Sequence, residues 1–207
     1  MAQRFVIHPT HPQRRLVDQA VEILRSGGLI AYPTDSCYAL GCCMDAREAM
    51  QRARRARGLD ETHFLTLVCP DLSALSVYAK VDNPSYRLLK AHTPGPYTFV
   101  LKASRDVPRR LQHPKRRTVG IRVPAHPLCS ALLQALGAPI LSTTLRLAGD
   151  ELPLTDGDAI QERVGRQVDL LLDAGACGIE PTSLVDLSGD GPRILRRGLG
   201  DVSAFAS

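Results

Sequence analysis

Four short segments carry polar groups where plain apolar structure would be expected. In Tyr32-Pro33-Thr34-Asp35-Ser36-Cys37-Tyr38-Ala39-Leu40-Gly41, hydroxyls and a carboxylate leave the end of the apolar run Leu29-Ile30-Ala31. Ligands of open α/β sheets bind beyond strand ends, so this set suits a small polar substrate; it equally suits a turn built on Pro-Thr-Asp-Ser chemistry. Arg52, Arg54, Arg55 and Arg57 crowd the end of one helical stretch. Cations there complement the helix dipole, and Arg55 and Arg57 could also project toward phosphates. Thr118-Val119-Gly120-Ile121-Arg122-Val123-Pro124 puts an arginine inside an apolar strand. Such a charge needs a partner, which is either a substrate carboxylate or phosphate, or an internal salt bridge. Finally, in Leu141-Ser142-Thr143-Thr144-Leu145-Arg146, strand alternation sets Ser142, Thr144 and Arg146 on one face and Thr143 on the other. Hydroxyls on one face can donate to phosphate oxygens, although threonine is also ordinary in strands.

The elements that must position these groups follow from hydrophobic periodicity. Residues 4–8 alternate as a strand. Thr10 as cap, Pro12 in the first turn, the series Leu16, Val17, Ala20, Val21, Leu24 and the stop at Gly27-Gly28 predict a helix. Strands are expected at 29–32, ended by Pro33, and at 39–42. Asp45 and Glu48 form a capping-box variant that opens a helix through Arg57. A strand at 64–69 precedes a short helix from the cap Asp71 to Tyr78, and Pro84 opens a helix ended before Pro94. Strands at 97–103 and 118–123, a helix at 127–136 closed by Gly137, and a strand at 140–145 come next. Asp156 caps a helix to Val164, and strands near 168–173, 183–187 and 193–196 complete the chain. The alternation predicts an α/β fold, one domain over residues 1–207, with a twisted mixed sheet flanked by helices.

Composition bounds the function. The 207 residues are 44% apolar and 23% charged, with 26 Lys+Arg against 21 Asp+Glu and a net charge of +5. Collagen-like, disordered and coiled-coil chains are excluded. No apolar run reaches the roughly 20 residues of a membrane helix, and residues 1–8 lack a basic-then-apolar signal, so a cytoplasmic protein is expected. The charge is divided: residues 1–145 hold 20 basic and 10 acidic side chains, whereas residues 146–207 hold 6 and 11. Only Lys80, Lys90, Lys102 and Lys115 are lysines; arginine's planar fork suits phosphate and carboxylate, though a codon bias would give the same ratio. The six cysteines form no C-x-x-C pair and no His stands at zinc spacing, so free thiols and no structural metal are expected. Walker, Rossmann, zincin and nucleophile-elbow signatures are absent. With four Phe, five Tyr and no Trp, a base-stacking RNA module is disfavoured.

The ordered set of segments resembles the YrdC/YciO-like family of threonylcarbamoyl-AMP synthases, and most of all its YciO branch. The resemblance rests on Tyr32-Pro33-Thr34-Asp35, Pro94-Gly95-Pro96-Tyr97-Thr98-Phe99-Val100-Leu101, Gly120-Ile121-Arg122-Val123-Pro124-Ala125-His126-Pro127, Pro181-Thr182-Ser183-Leu184-Val185-Asp186 and Ile194-Leu195-Arg196-Arg197-Gly198. It implies a YrdC-like fold with a basic concave surface. It also implies a nucleotidyltransferase-type reaction of ATP (with Mg²⁺), L-threonine and bicarbonate. The product, threonylcarbamoyl-AMP, serves modification of adenosine 37 in tRNA. On this likeness Thr34, Tyr38, Arg122 and Thr182 fall on the threonine side. Arg55, Arg57, Thr118, Ser142, Thr144 and Arg196 fall on the ATP side. Two positions depart from the pattern. Arg146 stands where the family has Asn, and an arginine accepts no hydrogen bond; Gly58 replaces the proline after the K-x-R pair, whose first position is Arg55. A second function therefore stays open: a non-catalytic protein of the same fold that binds double-stranded RNA, tRNA or rRNA through phosphate contacts.

Overall fold

The short apolar runs of the sequence pair into one mixed sheet, because none of them can bury its backbone alone. The computed structural model describes residues 1–60, 63 and 65–206. The elements, in chain order, are β1 (Gln3–Val6), α1 (Arg14–Arg25), β2 (Ile30–Tyr32), β3 (Ala39–Cys43), α2 (Arg47–Arg57), β4 (Thr66–Val68), α3 (Leu72–Tyr78), β5 (Ala79–Lys80), α4 (Asn83–His92), β6 (Tyr97–Ala103), β7 (Thr118–Arg122), α5 (Pro127–Leu136), β8 (Ile140–Thr144), α6 (Gly157–Val164), β9 (Leu170–Asp173), β10 (Ser183–Asp186) and β11 (Arg193–Arg196). Strand order is β1-β9-β2-β3-β8-β4-β7-β6-β10-β11, with β5 beside β6. The pairs β1–β9, β2–β9, β4–β7 and β6–β10 are parallel and the others antiparallel. The expected α/β fold with a mixed sheet is thus observed.

Several helix starts differ from expectation. Helix α1 begins at Arg14 with Gln13 at its N-cap and no side-chain cap. Thr10 instead bonds to His8 and His11, ahead of the helix. Helix α2 begins at Arg47 without a side-chain cap, so Asp45 does not close a capping box. Asp71, Asp82 and Asp156 do cap, each accepting from the backbone N–H three residues on. Asp82, rather than Pro84, therefore sets the start of α4. The expected strand at 64–69 is observed over β4, with residue 64 outside the described residues.

The site owes its existence to uneven helix coverage. On one face Leu40, Leu67, Phe99, Ile121, Leu141 and Val185 join the larger core, which takes in residues of α2, α3, α4 and α6. On the opposite face α1 and α5 bury only one half, over Ile30, Tyr32, Ala39, Val68, Ile140, Leu170 and Leu172. The remaining half, carried by the start of β4 and by β7, β6 and β10, packs in neither cluster and is covered by no helix among the described residues. Side chains alternate along strands, so Thr66, Thr98, Thr118, Gly120 and Ser142 all belong to that uncovered face.

Candidate ligand cavity

A cavity of about 280 Å³ lies on this face, just under the roughly 300–1,000 Å³ of common small-ligand sites. Its floor is the hydroxyl-bearing patch set by register: Thr66 stands opposite both Gly120 and Ser142, and Gly120 stands opposite Val100. Thr98 of β6 and Thr182, the residue before β10, share a 2.8 Å hydrogen bond.

One wall is the turn after β2. Thr34 Oγ1 donates to the Cys37 carbonyl at 2.7 Å and accepts from the Ser36 and Cys37 N–H groups at 3.2 and 3.3 Å. Arg122, the last residue of β7, reaches this turn and is only 8% exposed. Its Nη2 is ion-paired with Asp35 Oδ1 and lies 3.1 Å from Ser36 Oγ and 3.4 Å from Thr34 Oγ1. Asp35 is fixed in turn by the Ala125 N–H, 2.9 Å from its Oδ2. The internal salt bridge raised as one partner for Arg122 is therefore present, while its buried Nε has no partner among the described residues. Tyr38 presents its ring but not a free hydroxyl, which donates to the Gly175 carbonyl at 2.7 Å. Burial, then Asp173, pushes that hydroxyl's pKa upward.

The other wall is cationic. Arg57 Nη1 donates to Thr143 Oγ1 at 2.5 Å and its Nε to the Arg146 carbonyl at 3.1 Å. Arg196 grips the Thr182 carbonyl through Nε and Nη2 at 3.0 and 2.9 Å. Both guanidiniums sit below the usual arginine pKa: burial disfavours their charge, and neighbouring arginines add repulsion, Arg146 and Arg196 on Arg57, Arg122 and Arg146 on Arg196. His63 is lowered by burial and by Arg57. Neutral oxygens thus orient these cations, and among the described residues no carboxylate neutralises them, which is the arrangement an anion site requires.

Of the residues expected from the sequence, Thr34, Tyr38, Arg57, Thr118, Arg122, Ser142, Thr144, Thr182 and Arg196 all line the cavity. Arg55 does not; it is exposed on α2. Thr143, expected on the opposite face, also contributes, because Arg57 reaches it from the end of α2. Ser36, a hydroxyl of the first segment, lines it too, and His63, Thr66, Thr98 and Arg116 join the wall without having been singled out. Thr66 had a signal, a hydroxyl between Leu65 and Leu67 in an apolar strand; Arg116, in the connection before β7, had none.

The chain is similar to several known proteins. The Sua5/YciO/YrdC family model, described as Telomere recombination, matches residues 22–198. The uncharacterized protein YciO of Escherichia coli K12 is 52% identical over 205 residues, 99% of this chain and all of that one. The crystal structure of E. coli YciO superposes with a TM-score of 0.95 over 99% of this chain. Threonylcarbamoyl-AMP synthase of Chromobacterium violaceum is 37% identical over 145 residues, 69% of this chain and 74% of that protein. P. abyssi Sua5 complexed with L-threonine is 27% identical with a TM-score of 0.82, matching 96% of this chain and 57% of Sua5. By sequence and fold alike, the chain belongs to the Sua5/YciO/YrdC family.

Proposed function

We propose that the cavity makes L-threonylcarbamoyl-AMP from ATP, L-threonine and bicarbonate. The threonine nitrogen adds to the carbon of carbon dioxide released from bicarbonate and loses a proton, giving a carbamate. A carbamate oxygen then attacks the α-phosphorus, the bond to the β-phosphate oxygen breaks, and pyrophosphate leaves. Arg122, beside the hydroxyls of Thr34 and Ser36, holds the amino-acid carboxylate; Arg57 and Arg196 neutralise charge on the departing phosphates. Mg²⁺ in such chemistry travels on the triphosphate. Among the described residues no group of three His, Cys, Asp or Glu is placed to hold a metal, so no step is assigned to a protein-held ion. The product would be handed on to adenosine 37 of tRNA, in the cytoplasm.

The single observation that carries this proposal is that one cavity holds Arg122, beside the Thr34 and Ser36 hydroxyls and paired with Asp35, together with Arg57 and Arg196, which neutral oxygens orient and which have no carboxylate within ion-pair distance among the described residues. The named activity of the C. violaceum relative and the threonine held by P. abyssi Sua5 support it. The test is pyrophosphate release from ATP, Mg²⁺ and bicarbonate. Release is expected only when threonine is present and is expected to be lost in Arg122→Ala and Arg196→Gln, each checked for folding by circular dichroism. Release that is absent, or indifferent to threonine, overturns it.

A second function, binding of structured RNA without catalysis, is favoured by a different feature. The connection between β6 and β7 carries Arg105, Arg109, Arg110, Lys115, Arg116 and Arg117, all exposed, against one acid, Asp106.

A further inference from the structure

We propose that Arg146 completes a three-guanidinium site with Arg57 and Arg196 at the cavity mouth, selective for chain-like polyphosphate anions, triphosphate above pyrophosphate and both above orthophosphate. This deepens the proposed function, since it rests on reading the cationic wall as a nucleotide-phosphate site.

The backbone at Arg146 is fixed from several sides. Its N–H donates to the Thr144 carbonyl at 2.9 Å, and its carbonyl accepts Arg57 Nε at 3.1 Å. The preceding N–H, of Leu145, donates to the Tyr38 carbonyl at 2.8 Å, and Ala148 N–H donates to the Ala56 carbonyl at 3.1 Å. Residues 145–148 are thus strapped across the end of α2, directly beyond the last residue of β8, which lines the cavity. From this fixed base the Arg146 side chain extends into solvent. No hydrogen bond or ion pair from it is present among the described residues, and none of Arg57, Arg146 and Arg196 has a carboxylate within ion-pair distance there.

Arg57 and Arg196 cannot relieve the crowding by swinging away, because Thr143, the Arg146 carbonyl and Thr182 hold them. The charge of Arg146 bears on both, adding repulsion to each. Three cations, two of them held by hydrogen bonds and one of these, Arg57, half-buried, form an arrangement that a multiply charged anion stabilises. An anion with one phosphorus can meet one or two of them; a chain of phosphates can meet all three. Arg146, being outermost, engages the far end of the chain. It is therefore a specificity-determining residue whose effect grows with anion length. In an adenylate-forming reaction the same site would hold the pyrophosphate leaving group.

The test uses the full chain and calorimetric titration with sodium triphosphate, pyrophosphate and orthophosphate at constant ionic strength, without nucleotide or threonine. Wild type is expected to bind in that order of affinity. Arg146→Asn is expected to weaken triphosphate by about five- to tenfold and orthophosphate hardly at all. Arg146→Lys, which keeps the charge, should recover most of the loss. Because Arg146 is exposed, both variants should melt as wild type does. Equal losses for all three anions, no loss, or no triphosphate binding by wild type overturn the proposal. Threonine-dependent pyrophosphate release is measured separately: a length-selective anion site without turnover keeps this inference and removes the proposed reaction, and turnover with no effect of Arg146→Asn on the anion series does the reverse.

Discussion

At the scale of single residues, the cavity floor separates function from stability. Gly120 lies in the centre of the sheet, paired to β4 on one side and β6 on the other. A Cβ built there would meet nothing nearer than Thr66 Oγ1 at 3.5 Å and Thr98 Cγ2 at 3.7 Å, ordinary contacts. Glycine weakens a strand interior and β-branched residues favour one, so packing gives no reason for glycine here; space for a ligand does. Gly120→Val should therefore melt at or above the wild-type temperature while binding of ATP and threonine drops by tenfold or more, as read by thermal unfolding and calorimetry. A loss of stability would mean the floor is structural. Asp35 behaves oppositely. Asp35→Asn leaves the buried Arg122 cation without its ion-pair partner, and such a loss costs about 3–5 kcal/mol; denaturant titration measures it. Arg122, Thr34 and Ser142 were legible in the sequence because a polar group inside an apolar strand or strand end is an anomaly. His63, Thr98 and Arg116 were not, since nothing local distinguishes them from residues of an ordinary loop or strand.

At the scale of elements, alternation and turn chemistry made nearly every strand legible, and the errors fell at helix starts. Thr10 and Asp45 are the right residue types for caps, but the chain turns into its helix a few residues later, and their side chains are used elsewhere or left free of that role. What the sequence could not carry was the strand order that lays β9 between β1 and β2. That insertion brings Asp173 of β9 to Arg4 of β1, at 2.6 Å, and to the Tyr38 hydroxyl below the cavity. Burial alone would raise the Asp173 pKa, but the Gly175 N–H, Arg4 and Tyr38 outweigh it and the value is lowered. A lowered carboxyl pKa contributes stability that is present above its unfolded value, about 4, and is lost as pH falls through the folded value. Asp173→Asn should thus be less stable than wild type at neutral pH, with the gap closing below about pH 4; thermal melts across that range check it. A gap independent of pH would show that packing, not charge, ties these strands. The end of α2 yields a second test. Gly58 is left-handed, with φ +62°, and a Cβ there would come 2.9 Å from Ala148 Cβ. Gly58→Ala should cost about 1–2 kcal/mol and, by shifting the strap at 145–148, weaken triphosphate binding as well.

At the scale of the whole molecule, the division of charge along the chain is not a division in space. The acidic C-terminal part returns into the basic part and pairs with it: Asp158 and Asp173 with Arg4, Asp169 with Arg52, Asp186 with Arg116. Meanwhile Arg196, from that same acidic part, joins the cationic wall, and Arg146 lies next to it, its carbonyl accepting Arg57 Nε. Folding therefore pairs several of these acids with basic residues, while the β6–β7 connection keeps an excess of exposed cations and Arg57, Arg146 and Arg196 have no carboxylate within ion-pair distance among the described residues. Two anionic partners would read this excess differently. A small nucleotide needs only the mouth, whereas a duplex RNA, with a phosphate every few ångströms, would also engage the exposed Arg109, Lys115 and Arg117. Replacing these three by Glu should leave triphosphate affinity within about twofold, since none of them lines the cavity. If structured RNA is a partner, the same replacement should weaken duplex RNA binding by well over tenfold and flatten its salt dependence, because each cation withdrawn from a phosphate takes close to one unit from the slope of log affinity against log salt. Titrating a labelled tRNA and a labelled RNA duplex between low and physiological salt, with wild type and the triple variant, measures both quantities. RNA binding that ignores salt, or ignores the triple variant, would confine the positive charge to the service of the small-molecule cavity.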